Sequence, residues 1–235
     1  MKMICKFLIV ILFFSTATVY ADMIWDPGLG AAISDPGLEA EFRDPNLEEA
    51  IKRTLYNSNP SGPIHIKDLR RLDATGSEIA DLTGLEYCTN LEWLDLESNQ
   101  ITDLSPLSQL VKLERLVLGD NQITDLSPLS QLVNLEKLNL YLNKITDISP
   151  LSQLVNLEWL YLSYNEIDDL SPLSQLVNLE WLKLLNNNIT HISPLVRNSG
   201  LSEGDTIYLQ NNPLSDKSKE VYIPQLKKRG VDVGW

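Results

Sequence analysis

Residues 91–112 read LEWLDLESNQITDLSPLSQLVK, and residues 113–134 read LERLVLGDNQITDLSPLSQLVN. Three further copies follow without a gap and begin at Leu135, Leu157 and Leu179. The period is 22 residues in every case. A period of this length is the sequence signature of a solenoid, in which one short unit is stacked repeatedly along an axis.

The repeated region extends beyond these five copies at both ends. Residues 69–90 form a weaker copy in the same register, with Ser77 in place of the recurring asparagine. After Gly200 the register slips by three residues, and a last degenerate copy includes Asn212. We therefore predict about seven coils over residues 69–212.

Each copy contains seven apolar positions, which in the first full copy are Leu91, Leu94, Leu96, Ile101, Leu104, Leu107 and Leu110. A single coil has no interior, so these side chains are buried only when copies stack on one another. The alternation in Leu94-Asp95-Leu96 is typical of a strand, and successive strands would pair in parallel. Ser105-Pro106 then predicts a short helical turn on the opposite side, capped by the serine.

One asparagine recurs at the end of each strand segment. This column consists of Asn99, Asn121, Asn143, Asn165 and Asn187. An asparagine amide offers two donors and an acceptor, which suit backbone groups where the chain turns away from a strand. We interpret the column as a structural ladder inside the coil; the alternative is a polar binding row.

The pattern LxxLxLxxNxI followed by SPLSQLVN resembles the 22-residue leucine-rich repeat of bacterial internalins. The resemblance covers roughly residues 42–235. It implies an α/β leucine-rich repeat solenoid shaped as a curved horseshoe. The parallel β-sheet would line the concave face, and short 3-10 or helical turns would form the convex face. It also implies a surface or secreted bacterial protein that binds other proteins through the concave face.

The ends of the chain predict an export signal and two helical caps. Residues 1–21 combine early lysines, a short apolar run and a small-residue cleavage site, so we read them as a signal peptide. We interpret residues 22–41 as a leader or linker, residues 42–68 as a helical N-terminal cap, and residues 213–235 as a C-terminal cap. The expected location is secreted or in the cell envelope, with no membrane insertion after signal removal.

Composition argues against several classes of function. The formal net charge of −13 disfavours nucleic acid as a partner. Two cysteines and two histidines leave little for a disulfide framework, a metal site or histidine-based catalysis, so we expect no metal and no cofactor. Cys88 stands where Leu110 stands one coil later, which predicts a buried, inert thiol.

The copies differ mainly on the outward positions of the strand and just after it, whereas exposed turn residues such as Ser108 and Gln109 recur. Variation confined to one face favours a binding surface, although recent duplication with gene conversion would produce a similar pattern. Exposed aromatic residues mark interaction surfaces. The predicted partner-binding residues are Trp93, Arg115, Tyr141, Trp159, Tyr161, Tyr164, Trp181, Lys183 and Tyr208.

Three functions compete on this pattern. The first is an exported, non-enzymatic module that recognises a protein through its aromatic-rich concave face. The second is binding of a glycan or cell-wall polysaccharide by stacking on the same rings. The third is an enzyme, which we do not expect, because no nucleophile–base–acid set occupies matching positions. The regularly spaced aspartates of the turns, such as Asp103, are better explained as caps.

Overall fold

The computed structural model describes residues 42–59 and 65–235. Within these residues eight strands form one open parallel sheet, and the strands follow one another in sequence order. Each strand is three residues long. They are β1 Arg71–Asp73, β2 Trp93–Asp95, β3 Arg115–Val117, β4 Lys137–Asn139, β5 Trp159–Tyr161, β6 Trp181–Lys183, β7 Thr206–Tyr208 and β8 Asp232–Gly234.

The strand register follows the 22-residue repeat, because paired residues from β1 to β6 are 22 residues apart. Leu94 pairs with Leu72 on one side and with Leu116 on the other, so equivalent residues stack in columns across the sheet. The columns continue without a shift to β6. Trp181 then pairs with Thr206, three residues beyond the usual interval, as the slip after Gly200 predicts.

Short helical turns lie across the leucine core from the sheet. They span Ile66–Asp68, Leu85–Tyr87, Ser105–Leu107, Ser127–Leu129, Ser149–Gln153 and Ser171–Gln175, with the helix α2 Ser193–Arg197 in the equivalent place of the next coil. Strand and turn leucines such as Leu94 and Leu107 are fully buried in one continuous cluster. The predicted α/β leucine-rich repeat solenoid is therefore confirmed.

The hydrogen bonds that cap these turns differ from the expectation that the serine side chain is the cap. Ser105 does not cap its turn with its side chain. Instead, the Ser105 backbone N–H donates to Asp103 Oδ1 at 2.8 Å, and its hydroxyl donates to the same atom at 2.6 Å. A carboxylate accepts these two bonds more strongly than a hydroxyl could. The aspartate column, which continues at Asp125, Asp147 and Asp169, caps the turns.

The helix α1 Pro45–Ser58 covers the first coil. Asp44 caps it by accepting from the backbone N–H groups of Asn46 and Leu47. The second carboxylate oxygen accepts from the N–H groups of Ala80 and Asp81 in the first coil. Burial raises the pKa of Asp44, but these four N–H groups outweigh it and hold the pKa below its usual range.

The C-terminal cap contains more than the predicted helix. A π-turn at Ser218–Tyr222 leads directly into the helix α3 Ile223–Lys228, whose first turn contains Pro224. β8 then pairs with β7, and the sequence pattern did not predict this strand. No helix of the described residues has both the length and the apolar character that a membrane span requires. The expected signal peptide and leader, residues 1–41, lie outside the described residues.

Candidate partner-binding face

The outward side of the sheet is built by the alternation of short strands. In each strand the central residue, such as Leu160, is buried, and the two flanking residues face outward. We define the strand face as these flanking residues of β1–β7 together with the two outward residues that follow each strand. Val117 and Thr206 depart from this rule, because they are only 5% and 8% exposed.

Aromatic rings from coils four to seven form one patch on the strand face. Trp159 and Trp181 are register partners on neighbouring strands. The rings of Tyr141 and Tyr164 meet edge to face at 5.2 Å, and those of Trp181 and Tyr208 lie 6.0 Å apart. Neither Trp159 nor Trp181 belongs to the core. We call the following set the aromatic patch: Tyr141, Trp159, Tyr161, Tyr164, Trp181 and Tyr208.

Two lysines lean onto the patch from opposite sides. Lys137 Nζ lies 3.8 Å from the ring centroid of Trp159, and Lys183 Nζ lies 4.4 Å from that of Tyr161. Both distances are within the range of cation–π attraction. Lys183 is among the predicted partner-binding residues, whereas Lys137 is not, although the repeat register places it on the same outward face. The contact between β4 and β5 that reveals Lys137 depends on side-chain direction and is not visible in the repeat pattern.

Trp93 and Arg115, which were predicted as part of the same site, form a separate cluster. Trp93 stacks between the guanidinium groups of Arg71 and Arg115, at 4.6 Å and 5.8 Å from its ring centroid. β3 and β4 separate Trp93 from Trp159. Burial raises the pKa of Tyr161, and the positive charge of Arg115 opposes that shift, so Arg115 still acts on the patch electrostatically.

The asparagine column faces the backbone and not the solvent. Asn143 Oδ1 accepts from the Ile123 N–H at 2.9 Å. Asn143 Nδ2 donates to the carbonyls of Leu118, Leu140 and Tyr141. The other four members are also buried and repeat the bonds to the neighbouring coil. This geometry suits a ladder between coils; its contribution to stability stays a prediction.

A second asparagine ladder, on the outside of the coils, was not predicted from the sequence. The side chains of Asn134, Asn156 and Asn178 donate to the carbonyls of Val111, Val133 and Val155 in the preceding coil, at 2.8–2.9 Å. These bonds are exposed. The signal was present in the sequence, because an asparagine recurs at the last position of most copies. The valines beside it form a column of exposed apolar side chains outside the strand face.

His191 and Cys88, two residues with catalytic potential, occupy structural positions in the fold. His191 replaces the turn aspartate in its copy, and its Nδ1 lies 3.2 Å from Ser215 Oγ. Ser215 Oγ also accepts from the backbone N–H of Ser218, where the C-terminal cap begins. Cys88 is fully buried, and burial raises the pKa of its thiol to about 12. No group of three or more potential metal ligands occurs among the described residues.

Comparison with known proteins gives the family. A model of paired leucine-rich repeats matches residues 89–131, 111–153 and 133–175. The internalin InlF of Listeria monocytogenes is 34% identical over 82% of this chain and 56% of its own, with a TM-score of 0.72. The internalin InlC2 of the same species is 33% identical over 82% of this chain and 93% of its own, with a TM-score of 0.60.

A more distant similarity points to the same repeat. A leucine-rich repeat protein of Leptospira interrogans is 29% identical over 63% of this chain and 44% of its own, with a TM-score of 0.55. A search of curated proteins gave no match. The chain spans 56% of the length of InlF but nearly all of InlC2. The chain therefore belongs to the internalin-like leucine-rich repeat proteins.

Proposed function

We propose that this protein is an exported, non-enzymatic module that binds a protein partner through the aromatic patch. The observation that carries the proposal is that aromatic rings from four consecutive coils lie on neighbouring strands of the strand face. Leucine-rich repeat proteins are in general protein-interaction modules, which supports the coarser part of the proposal. Export rests on the signal-peptide pattern of residues 1–21.

The physical properties of the patch suit a protein interface. Trp159 is 38% exposed and Tyr164 is 45% exposed, so large apolar surfaces remain available although both residues are anchored on an ordered scaffold. Tryptophan and tyrosine are enriched among the residues that dominate binding energy in interfaces. A partner that covers these rings would order few additional side chains, because the strands already fix their positions.

Binding of a glycan on the same rings is the alternative. Sugar stacking requires an open ring face. Here the Lys137 ammonium covers a face of Trp159 at 3.8 Å, and the guanidinium groups of Arg71 and Arg115 lie over Trp93. These contacts favour a protein partner, whose carboxylates and apolar side chains can use both the cations and the ring edges.

The test is affinity capture with the unaltered protein and with the double variant Trp159→Ala, Trp181→Ala. We expect the double variant to fold, because neither ring lies in the core, and to lose the captured partner. The matched control is Val133→Ala, Val155→Ala, which removes two similarly exposed apolar side chains that lie outside the strand face. A partner that binds all three proteins equally would contradict the proposal, and selective binding on a glycan array would favour the alternative.

A further inference from the structure

The second of the two outward residues that follow each strand has a left-handed backbone conformation. This column consists of Gly76, Ser98, Asp120, Leu142, Tyr164, Asn186 and Asn211, all with φ between 52° and 59°. Every coil has this conformation at the same position, where the chain turns inward to the buried asparagine column. Glycine, asparagine and aspartate tolerate it best, whereas bulky side chains are disfavoured there.

Leu142 and Tyr164 break that preference in two neighbouring coils. Both side chains are exposed, at 41% and 45%, so the core gains nothing from them. Tyr164 packs edge to face on Tyr141, which is itself exposed. Tyr141, Leu142 and Tyr164 thus form an apolar ridge along the carboxyl edge of the strand face. A bulky side chain in a left-handed backbone conformation is strained, and such strain clusters at functional sites.

The strand face is also divided by charge. All four of its acidic residues lie on the first three coils and are Asp73, Asp95, Glu97 and Asp120. The corresponding positions of coils four to seven contain no acid and include Lys137 and Lys183. A protein with a net charge of −13 thus presents an acid-free aromatic surface with two cations.

The two cations are free to accept a carboxylate. Among the described residues, neither Lys137 nor Lys183 forms an ion pair. Their ammonium groups instead bracket the fifth coil, where each rests on one ring of β5. The glutamates that precede the strands, such as Glu158, border the amino edge and would repel an anion placed there. The most favourable position for a carboxylate is therefore above the fifth coil, between the two lysines.

From these two observations we propose that the partner presents an extended acidic-apolar protein segment. An apolar side chain of this segment would pack on the ridge of Tyr141, Leu142 and Tyr164, and a carboxylate would pair with Lys137 and Lys183. The four acidic residues of the first three coils would disfavour the reverse orientation, in which the carboxylate would lie beside them. This inference names the chemistry of the partner and rests on the proposed function.

A random library of 12-residue peptides displayed on phage, panned on the full-length protein, tests the inference. We expect the enriched peptides to combine Asp or Glu with Phe, Tyr, Trp or Leu. Their affinity should fall at least tenfold in the variant Lys137→Gln, Lys183→Gln and should weaken as salt rises. The variant Leu142→Asn, Tyr164→Asn should lose at least tenfold in affinity while its Tm stays equal or rises.

Two matched controls test whether loss of any exposed cation, or relief of any left-handed residue, changes peptide affinity. Lys144→Gln removes an exposed cation that lies off the strand face, and Glu78→Asn relieves a left-handed residue of the first coil at φ 58°. Neither should change peptide affinity. A loss of Tm in the Leu142, Tyr164 variant would show that these residues serve the fold, which overturns the inference.

The outcomes also distinguish this inference from the proposed function. Peptides that require Trp159 and Trp181 but show no acidic enrichment, or bind the lysine variant equally, would overturn this inference and leave the proposed function standing. Enriched peptides that bind the Trp159→Ala, Trp181→Ala variant with full affinity would overturn both. Failure to enrich any peptide, together with selective glycan binding, would overturn both in favour of the glycan alternative.

Discussion

At the scale of the residue, the same amide side chain makes different bonds according to its place in the coil. Asn143 is buried and uses both ends of its amide on the backbone of two coils. Asn156 is exposed and makes one side-chain bond, to the Val133 carbonyl. A buried polar group left without a partner costs far more than an exposed one, because water replaces the partner at the surface.

The first prediction compares these two asparagines. Asn143→Ala removes the acceptor of the Ile123 N–H and the donor to three carbonyls, so the free energy of unfolding should fall by about 1–3 kcal/mol. Asn156→Ala, the matched control, should cost no more than about 0.5 kcal/mol, since the Val133 carbonyl gains water. Chemical denaturation of the two variants measures both values. Equal effects would contradict the interpretation of the inner column as a ladder.

The second prediction concerns Cys88. Burial disfavours the thiolate and raises the pKa of the thiol to about 12, so the native protein should not react with iodoacetamide at pH 8. Labelling should begin only when denaturant unfolds the chain. Because the thiol ionises more readily in the unfolded state, its contribution to stability is complete below about pH 8.5 and is lost as the pH rises towards 12. Mass spectrometry of the labelled protein would detect any native reaction.

Some residues of the candidate site could be predicted from the sequence and others could not. The outward aromatic residues follow from period-two alternation within a 22-residue register, which fixes their face. The contact of Lys137 with Trp159 could not be predicted, because it depends on the direction of two side chains. Leu142 could not be selected either, since the left-handed column is a property of the folded coil. The sequence therefore predicts on which face a residue lies, but not which side chain it contacts.

At the scale of the element, the junction between the last regular coil and the C-terminal cap differs most from the repeat. Asn198 stands where the buried Leu176 stands one coil earlier, and its side chain donates to the carbonyls of Leu173 and Leu176. Gly200 then passes against the backbone of Val177. The slip was predictable from the broken register, whereas β8 was not, because Asp232-Val233-Gly234 contains no repeat signature and little strand propensity.

The third prediction tests that close approach. A Cβ added at Gly200 would lie 1.8 Å from the Val177 carbonyl oxygen, and backbone on both sides leaves no flexible side chain to move away. Gly200→Ala should therefore lower the free energy of unfolding by about 3 kcal/mol. Ser199→Ala, at an exposed neighbour, should be nearly neutral. Thermal unfolding of the two variants measures the difference. A neutral Gly200→Ala would mean that the backbone of the junction can move away from the added methyl group.

At the scale of the whole molecule, the solenoid separates stability from binding. Each coil bonds to its neighbours through the same strand register and the same asparagine amide. Stability in such a stack is approximately a sum of coil and neighbour terms, so any interior copy contributes a similar amount. The outward side chains are not equivalent, because the aromatic patch begins at the fourth coil. Removing whole repeats can therefore distinguish a site from its scaffold.

The fourth prediction compares two deletions of equal length. Removing residues 113–134 joins Lys112 to Leu135 in perfect register and leaves every ring of the aromatic patch in place. Removing residues 157–178 also preserves the register but takes away Trp159, Tyr161 and Tyr164. Both variants should fold cooperatively, with similarly reduced stability and a denaturant m-value lowered in proportion to length. Only the first should keep the partner captured by the unaltered protein. Retention of the partner by the second deletion, with both variants equally folded by circular dichroism, would mean that the binding site lies elsewhere on the solenoid.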